Sequence, residues 1–499
     1  MGRTQNCHPV LDCLHCSGAV WSGHAETKMN GFSPSLFSGQ RFAVFGLGKN
    51  GLPAVLMLAG TGATVQVWDD GEGGRKGLAK ALSTLAPNVA TRIQCKPFES
   101  LNGFEALILS PGIPHVLPKP HPIALMAKEA GIPILSDAEL LYRAVRKSGS
   151  KARFVGITGT NGKSTTTTLL AHILAEAKLP VAAGGNLGPA ALALPLLPDN
   201  GVYVLEMSSY MLERLDTLRF DAACLLNLTP DHLDRHAGMD GYAQAKKRVF
   251  TGQTGKDMAV VGMDDTWCRT IAAELEHEPA KCETISGTNP TCSYYGKDGA
   301  IWHHSTCIAQ TGLSLPGAHN AENAAAAIAI ARFLDVPDAT IAQAVASFPG
   351  LPHRQKLVAS CNGVDFVDDS KATNADAASR ALGCYEKLVW IAGGTAKEGG
   401  IASLTPYFPH IAHTFLIGRD APQLAQTLKE HNVPFTMAET LENAVPAAYT
   451  EAHLTHTPVV LLSPACASFD QFSGFEARGL RFQELADEVC ARHAGMTEQ

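Results

Sequence analysis

Nowhere in the 499 residues does an apolar run approach the ~18 residues that a helix needs to cross a bilayer, so no membrane span is expected. A positive charge excess is also missing. Lys+Arg number 40 against 47 Asp+Glu, a formal net charge of -7, which argues against a general nucleic-acid binder. The first residues lack a charged start followed by an apolar core, so no secretory signal is expected. No internal repeat is visible. The 13 cysteines, an odd number, are mostly scattered singly through apolar stretches. That scatter suits a reducing, cytoplasmic setting rather than a disulfide framework. One cluster breaks it: Cys7, His8, Cys13, His15 and Cys16. Zinc requires four ligands in a folded setting. Residues 1–38 are polar, Gly/Ser-rich and aperiodic, so a disordered extension is expected there, with Met29 as an alternative start.

What is present fits a packed globular protein: 45% hydrophobic and 17% charged residues, in a chain too long for one core. Two to four domains are expected. The stretch on which the rest depends is Gly156-Ile157-Thr158-Gly159-Thr160-Asn161-Gly162-Lys163-Ser164-Thr165. The apolar residues Phe154, Val155 and Ile157 read as the end of a buried strand, and the spacing after Thr168 is helical. Strand, glycine loop and helix start make a phosphate cradle. Backbone N–H groups and the helix dipole face the anion, Lys163 adds a charge, and Ser164 can hold magnesium. The common loop has glycine where this chain has Ile157; the nearer glycine here is Gly159.

A second glycine turn lies upstream. Phe42-Ala43-Val44-Phe45 reads as a strand running into Gly46-Leu47-Gly48-Lys49-Asn50-Gly51 at the mouth of a helix. The next strand ends at Asp69-Asp70, about 20 residues on, completing a dinucleotide fingerprint. A strand over residues 106–109 leads into Ser110-Pro111-Gly112. This pattern seats a diphosphate without saying which nucleotide carries it, and a plain strand-to-helix turn stays open as an alternative.

Residues 146–151 read as a linker. Beyond it, strands lead into Glu206-Met207-Ser208-Ser209 and into Asp231-His232-Leu233-Asp234-Arg235-His236. Loops at the carboxyl ends of parallel strands face the ligand, so both acidic clusters should lie near the triphosphate. Residues 257–312 read as a small β insertion, and an alanine-rich helix follows His319-Asn320. The last part alternates again, with strands over residues 364–367, 388–392 and 459–462. The expected boundaries are 1–38, 39–147, 148–349 and 350–499.

Taken together, residues 159–165, Glu206-Met207-Ser208-Ser209-Tyr210, residues 231–235, His319-Asn320 and Leu351-Pro352-His353-Arg354 resemble the Mur ligases. These are the ATP-dependent amide-forming enzymes of peptidoglycan precursor synthesis. The likeness runs from about residue 41 to residue 482. Residues 369–374 and 463–472 resemble the D-glutamate-adding members. The resemblance implies a three-domain α/β fold: a Rossmann-like first domain, a central P-loop ATPase-like domain with a mostly parallel sheet, and a Rossmann-like last domain. It implies an ADP-forming ligase, expected as a monomer, that activates the carboxylate of UDP-N-acetylmuramoyl-L-alanine as an acyl phosphate. Rival readings are a sister ligase adding another amino acid, a P-loop ATPase switch, or a nicotinamide oxidoreductase.

The resemblance also implies roles. Gly46, Gly48, Gly51, Asp69, Asp70, Ser110, Gly112 and Asn186 would hold the UDP-sugar. Gly159, Thr160, Asn161, Gly162, Lys163, Ser164 and Thr165 would hold the ATP phosphates, with Asn320, Asn323, Arg354 and Asp369 around the rest of the nucleotide. Ser164 and Glu206 would hold one magnesium ion. His232 and Lys246, the latter as a carbamate, would serve a second; Lys163, His232 and Lys246 are thus the expected catalytic set. Lys371, Thr373, Lys397, Ser468, Phe469 and Phe475 would receive D-glutamate.

Overall fold

In the computed structural model, residues 30–494 are described, apart from 313 and 398. The Cys7–Cys16 cluster and most of the expected extension lie outside them. Within residues 30–38 the expectation of disorder fails. Phe32 and Phe37 are buried, and the Phe37 N–H donates to Thr61 O at 2.8 Å. Two aromatic rings with a core to enter suffice to fix a stretch that has no periodic pattern.

Three α/β sheets carry the fold. The first comprises β1 (Arg41–Phe45), β2 (Thr64–Trp68), β3 (Ile93–Cys95), β4 (Ala106–Leu109) and β5 (Ile134–Leu135), all parallel, in the order β3-β2-β1-β4-β5. Its strands are short apolar runs covered by helices, as a parallel sheet requires. The order reverses beside β1, and the turn at residues 46–51 leaves β1 at that switch point.

The second sheet comprises β6 (Arg153–Thr158), β7 (Val181–Gly185), β8 (Val202–Glu206), β9 (Ala222–Leu225), β10 (Met258–Gly262), β11 (Lys281–Ser286), β12 (Tyr294–Lys297), β13 (Ala300–His303) and β14 (Thr306–Gln310). Their order is β14-β13-β12-β11-β10-β9-β6-β8-β7. Residues 257–312 are therefore no separate insertion. β10 and β11 extend the parallel sheet, and only β12, β13 and β14 form an antiparallel meander at its edge. Short mixed runs hid that continuity. Register brings Ile157 beside Glu206, and Thr158 beside Leu225, so β8 and β9 end next to the phosphate loop. The first two sheets belong to one compact unit and share an apolar core that includes Val44, Leu58, Leu141, Phe154, Tyr203 and Phe220.

The third sheet belongs to the other compact unit, residues 311–320 and 348–499. Its strands are β15 (Lys356–Cys361), β16 (Val364–Asp368), β17 (Leu388–Gly393), β18 (Ile411–Ile417), β19 (Phe435–Glu439) and β20 (Val459–Leu462), in the order β15-β16-β20-β17-β18-β19. β15 runs antiparallel to β16 and the rest are parallel. Because β20 inserts between β16 and β17, the segments that follow these three strands emerge side by side. Cys361 on β15 and Cys490 on the helix Phe475–Ala494 form a disulfide, with Cα atoms 5.6 Å apart. The expectation of unpaired cysteines fails there. A separation of 129 residues leaves no trace in local spacing.

Candidate active site

The loop after β6 takes its shape from two glycines. Gly159 has φ +148° and Gly162, which caps the helix Lys163–Glu176, has φ +84°. A Cβ at Gly162 would lie 2.1 Å from Asn323 Oδ1, so the loop and the alanine-rich helix Ala318–Phe333 meet without room for a side chain. Asn323 is accordingly buried, not a helix-surface amide, and accepts from Thr166 Oγ1 at 3.3 Å. Asn227, just beyond β9, braces the loop. Its Oδ1 accepts from Asn161 N at 2.9 Å, and its backbone oxygen accepts from Thr160 N at 2.8 Å. Thr165 sits half-buried in the first turn of the helix.

Charged groups of both signs converge on this loop. Lys163 Nζ folds back to donate to Gly159 O at 2.9 Å and Thr160 O at 2.7 Å. Ser164 Oγ donates to Glu206 Oε2 at 2.7 Å, and Asn186 Nδ2 donates to Glu206 Oε1 at 2.7 Å. Glu206 is 2% exposed, and two donors fix its plane. Lys246, on the helix Met239–Lys247, is likewise 2% exposed. Its amine donates to Gly159 O at 2.8 Å and Thr158 Oγ1 at 3.3 Å, and lies 4.8 Å from the centre of the Tyr242 ring. Burial, and then the neighbouring Lys163 charge, push its pKa well below the ordinary lysine value. Lys247, the next residue, instead reaches Glu274 at 2.6 Å in a partly exposed pair.

His232 begins the helix Leu233–His236 in a left-handed conformation, φ +53°. It is half exposed, and its Nε2 lies 3.4 Å from Asp231. Burial lowers its pKa. The structural histidine of this motif is His236. Its ring is buried, with Nδ1 3.0 Å from Glu213 and Nε2 2.9 Å from Ser209 Oγ, and it stacks on Tyr210.

In the first sheet, Gly46 has φ +90°, and a Cβ on Gly51 would fall 1.8 Å from Gly46 O. Gly48 has open space around it. Asp69 is spent on the turn: its carboxylate accepts from Leu47 N and, at 2.7 Å, from Gly71 N. Asp70 accepts from Trp68 Nε1 at 3.2 Å and lies 3.2 Å from His121 Nε2. Ser110 Oγ donates to Gly46 O at 2.9 Å. Gly112 O accepts from Arg235 at 3.1 Å.

The third sheet gathers its own set. Asp369 is buried; Ser463 Oγ donates to it at 2.7 Å and the Gln355 N–H at 3.3 Å, while burial raises its pKa to about 7. Lys371 Nζ lies 4.0 Å from the centre of the Phe475 ring, and the Thr373 N–H donates to Lys371 O at 2.8 Å. Ser468 is buried, whereas Phe469 is 77% exposed. Lys397 is exposed, and its backbone oxygen accepts from the Gly400 N–H. Asn320 Nδ2 donates to Pro316 O at 2.8 Å, and the Arg354 N–H donates to Leu351 O at 3.3 Å. Arg478, not singled out from sequence, organises this end. It is 1% exposed and donates to Ser370 O and Oγ, just after β16, to Cys466 O, just after β20, and to Gly393 O at the end of β17. Arg214, Asp137 and Glu139 were missed in the same way. Most of their partners lie far off in sequence, and an acid on a helix or an arginine just after one reads as surface.

Residues 157–331 match the Mur ligase middle domain. The chain is similar to the UDP-N-acetylmuramoylalanine–D-glutamate ligase of Paramagnetospirillum magneticum, 49% identical over 91% of this chain and 97% of that one. The ligase of the same description from Rhodospirillum rubrum is 46% identical over 92% and 96%. Among solved structures, the fold resembles UDP-N-acetylmuramate-alanine ligase MurC from Thermotoga maritima, with a TM-score of 0.57, 17% identity, and 90% and 99% of the two chains covered. It also resembles the MurF ligase from Thermotoga maritima in complex with ADP, with a TM-score of 0.55, 16% identity, and 92% and 99% covered.

Proposed function

This chain belongs to the Mur ligase family, and we infer that it catalyses the ATP-dependent addition of D-glutamate to UDP-N-acetylmuramoyl-L-alanine in peptidoglycan synthesis. The carrying observation is that Lys163, the Ser164–Glu206 pair and the buried Lys246 meet at one glycine loop in a chain 49% identical to such a ligase. Two anions must approach for this reaction to start, and a bare P-loop does not bring a second buried lysine to its carbonyl groups.

In the reaction we propose, the acceptor's terminal carboxylate attacks the γ-phosphorus and the bond to ADP breaks. The free amine of D-glutamate then attacks the acyl carbon. Phosphate leaves, and the amine proton passes to solvent. Lys163 exchanges the Gly159 and Thr160 carbonyls for phosphoryl oxygens and neutralises charge as it builds. A hydroxyl and a carboxylate 2.7 Å apart at the loop are hard oxygen donors that fit magnesium. Ser164 and Glu206 would hold one ion, and His232 and Lys246 would serve a second. Bound there, magnesium supplies charge neutralisation between the two anions. Asn186 keeps Glu206 turned toward Ser164.

Lys246 is the residue we assign to carbamate formation. Its buried amine, hydrogen-bonded to Gly159 O and Thr158 Oγ1, can add to carbon dioxide as the free base. One N–C bond forms, one proton leaves, and a neutral amine becomes an anion. The turn at residues 46–51, braced by Asp69, would take the UDP diphosphate, with Asp70, Ser110, Gly112 and Asn186 near the rest of the UDP-sugar. Asn320, Asn323, Arg354 and Asp369 would take the adenosine and phosphate oxygens. Lys371, Thr373, Lys397, Ser468, Phe469 and Phe475 would take D-glutamate, whose two carboxylates suit two lysines. The test is phosphate release with ATP, magnesium, UDP-N-acetylmuramoyl-L-alanine and each glutamate enantiomer. Release and a new amide are expected with D-glutamate; intact ATP with both enantiomers would refute the assignment.

A further inference from the structure

Arg214 plays no part in the chemistry above, yet it is 2% exposed. Its Nη1 donates to Leu109 O at 2.6 Å and Ser110 O at 3.1 Å, and its Nη2 donates to Ile113 O at 2.6 Å. His115 Nδ1 lies 3.4 Å from the same Nη2. Arg235 donates to Gly112 O. Two arginines of the central domain thus hold the carbonyls of residues 109, 110, 112 and 113 in the first. The Arg214 Nε is buried without a hydrogen-bond partner among the described residues, so the site carries a cost that an apolar side chain of similar volume would avoid. Holding backbone in place is what the charge adds.

That backbone supports the acceptor turn. Ser110 Oγ donates to Gly46 O, the Ser110 N–H donates to Phe45 O at 3.1 Å, and a Cβ on Gly46 would lie 2.6 Å from Ser110 Oγ. On its other side, Arg214 follows the helix Ser209–Leu212, which opens just after Glu206, and its N–H donates to Met211 O. Arg235 sits on the short helix that begins at His232. Both arginines therefore hang from segments that carry a metal-side residue, and both grip the segment that backs Gly46.

We propose that Arg214 is a positioning residue that holds the UDP-sugar turn in register with the Glu206 side of the phosphate loop, with Arg235 as a second, more exposed tie. The proposal rests on the assignment of residues 46–51 to the acceptor diphosphate. Anchored there, the acceptor presents its carboxylate to the γ-phosphoryl group only if the two sites keep their spacing, since misplacement by about 1 Å can cost about 100-fold in rate.

The test compares Arg214→Met, Arg214→Lys and Arg214→Ala with wild type. KM is measured for the acceptor, ATP and D-glutamate, together with kcat and Tm. Arg214→Met should raise the acceptor KM about tenfold and lower kcat, leaving the ATP KM within about twofold. Arg214→Lys should recover part of the loss, and guanidinium added to Arg214→Ala should lower its acceptor KM. An unchanged acceptor KM, or KM values that all rise together with a fallen Tm and no guanidinium rescue, would overturn the proposal. Should Arg214→Met fail to fold, Arg214→Lys reads the same split. Wild type making no amide in this assay would refute the reaction itself, a result distinct from either outcome for Arg214.

Discussion

Two glycine turns in this molecule share a backbone plan and differ in what surrounds it. Each follows a buried parallel strand, β1 or β6, and opens a helix, and each places a glycine at positive φ: Gly46 at +90° and Gly162 at +84°. At the first turn Asp69 accepts the Leu47 N–H, and the turn's own amine, Lys49 Nζ, reaches Leu187 O at 3.4 Å rather than a carbonyl of the turn. At the second, two amines, Lys163 and Lys246, bond loop carbonyls, and Glu206 stands beside Ser164. Backbone N–H groups at a helix start suffice to seat an anion. Transferring part of that anion needs positive charge beside it, and at the second turn two amines already bond the loop's own carbonyls. In the function proposed above, one turn holds a phosphate and the other acts on it.

The sharpest way to break that contrast is to remove the buried amine. Lys246→Ala should lower kcat by roughly 100- to 1000-fold, the scale of one lost transition-state stabiliser, and short carboxylates should restore part of it. Acceptor binding at the first turn, read by calorimetry, should survive; loss of both would erase the distinction. Next comes one substitution made in both turns. Gly162→Ala meets Asn323 Oδ1 at 2.1 Å in a left-handed conformation and should cost about 2 kcal/mol with a raised ATP KM. Gly48→Ala meets open space and should leave urea stability within about 0.5 kcal/mol of wild type.

A smaller effect is expected of Asp69→Asn, which weakens the bonds to Leu47 N and Gly71 N. It should cost about 1 kcal/mol and raise the acceptor KM with the ATP KM unchanged. The smallest tests what the first turn leans on. Asn50 in that turn donates to Asp137 at 3.0 Å, on the helix Asp137–Lys147 that Glu139 ties to the central domain. Burial alone would raise the Glu139 pKa, but bonds from Thr217, Asp216, Leu218 and Arg143 pull it below the ordinary value of 4.5. The stabilisation is therefore full above that value and is lost as pH falls through the depressed folded pKa. Glu139→Gln should flatten the acid limb of Tm against pH and leave the slope above pH 6 unchanged.

Much of the architecture could be read along the chain because it is written locally. The apolar runs at residues 42–45 and 154–157, the glycines after them and the helical spacing beyond are contiguous signals. The strands at 202–206, 364–368, 388–393 and 459–462 announced themselves by composition. Less legible was anything whose partner is remote. Phe32 and Phe37 have no period to betray their burial. β10 and β11 read as an insertion because edge and centre of a sheet look alike in short runs. Cys361 and Cys490 meet only because β15 packs beside the last helix.

The sequence by itself determined which segments can seat phosphate, since that depends on glycine conformations and helix starts a few residues long. The resemblance, rather than any local pattern, singled out Lys246 beside the Asp231–His232 segment. Only the tertiary structure decided that Lys246 is buried and Lys247 is not, because the one short helix that carries both aims the first at Gly159 O and the second at Glu274. It alone decided that Asp69 braces its own turn, that Arg478 draws together three strand ends, and that Arg214 reaches across 105 residues to Leu109. A side chain's identity is fixed when the chain is made, but what it holds depends on which backbone the fold brings within about three ångströms.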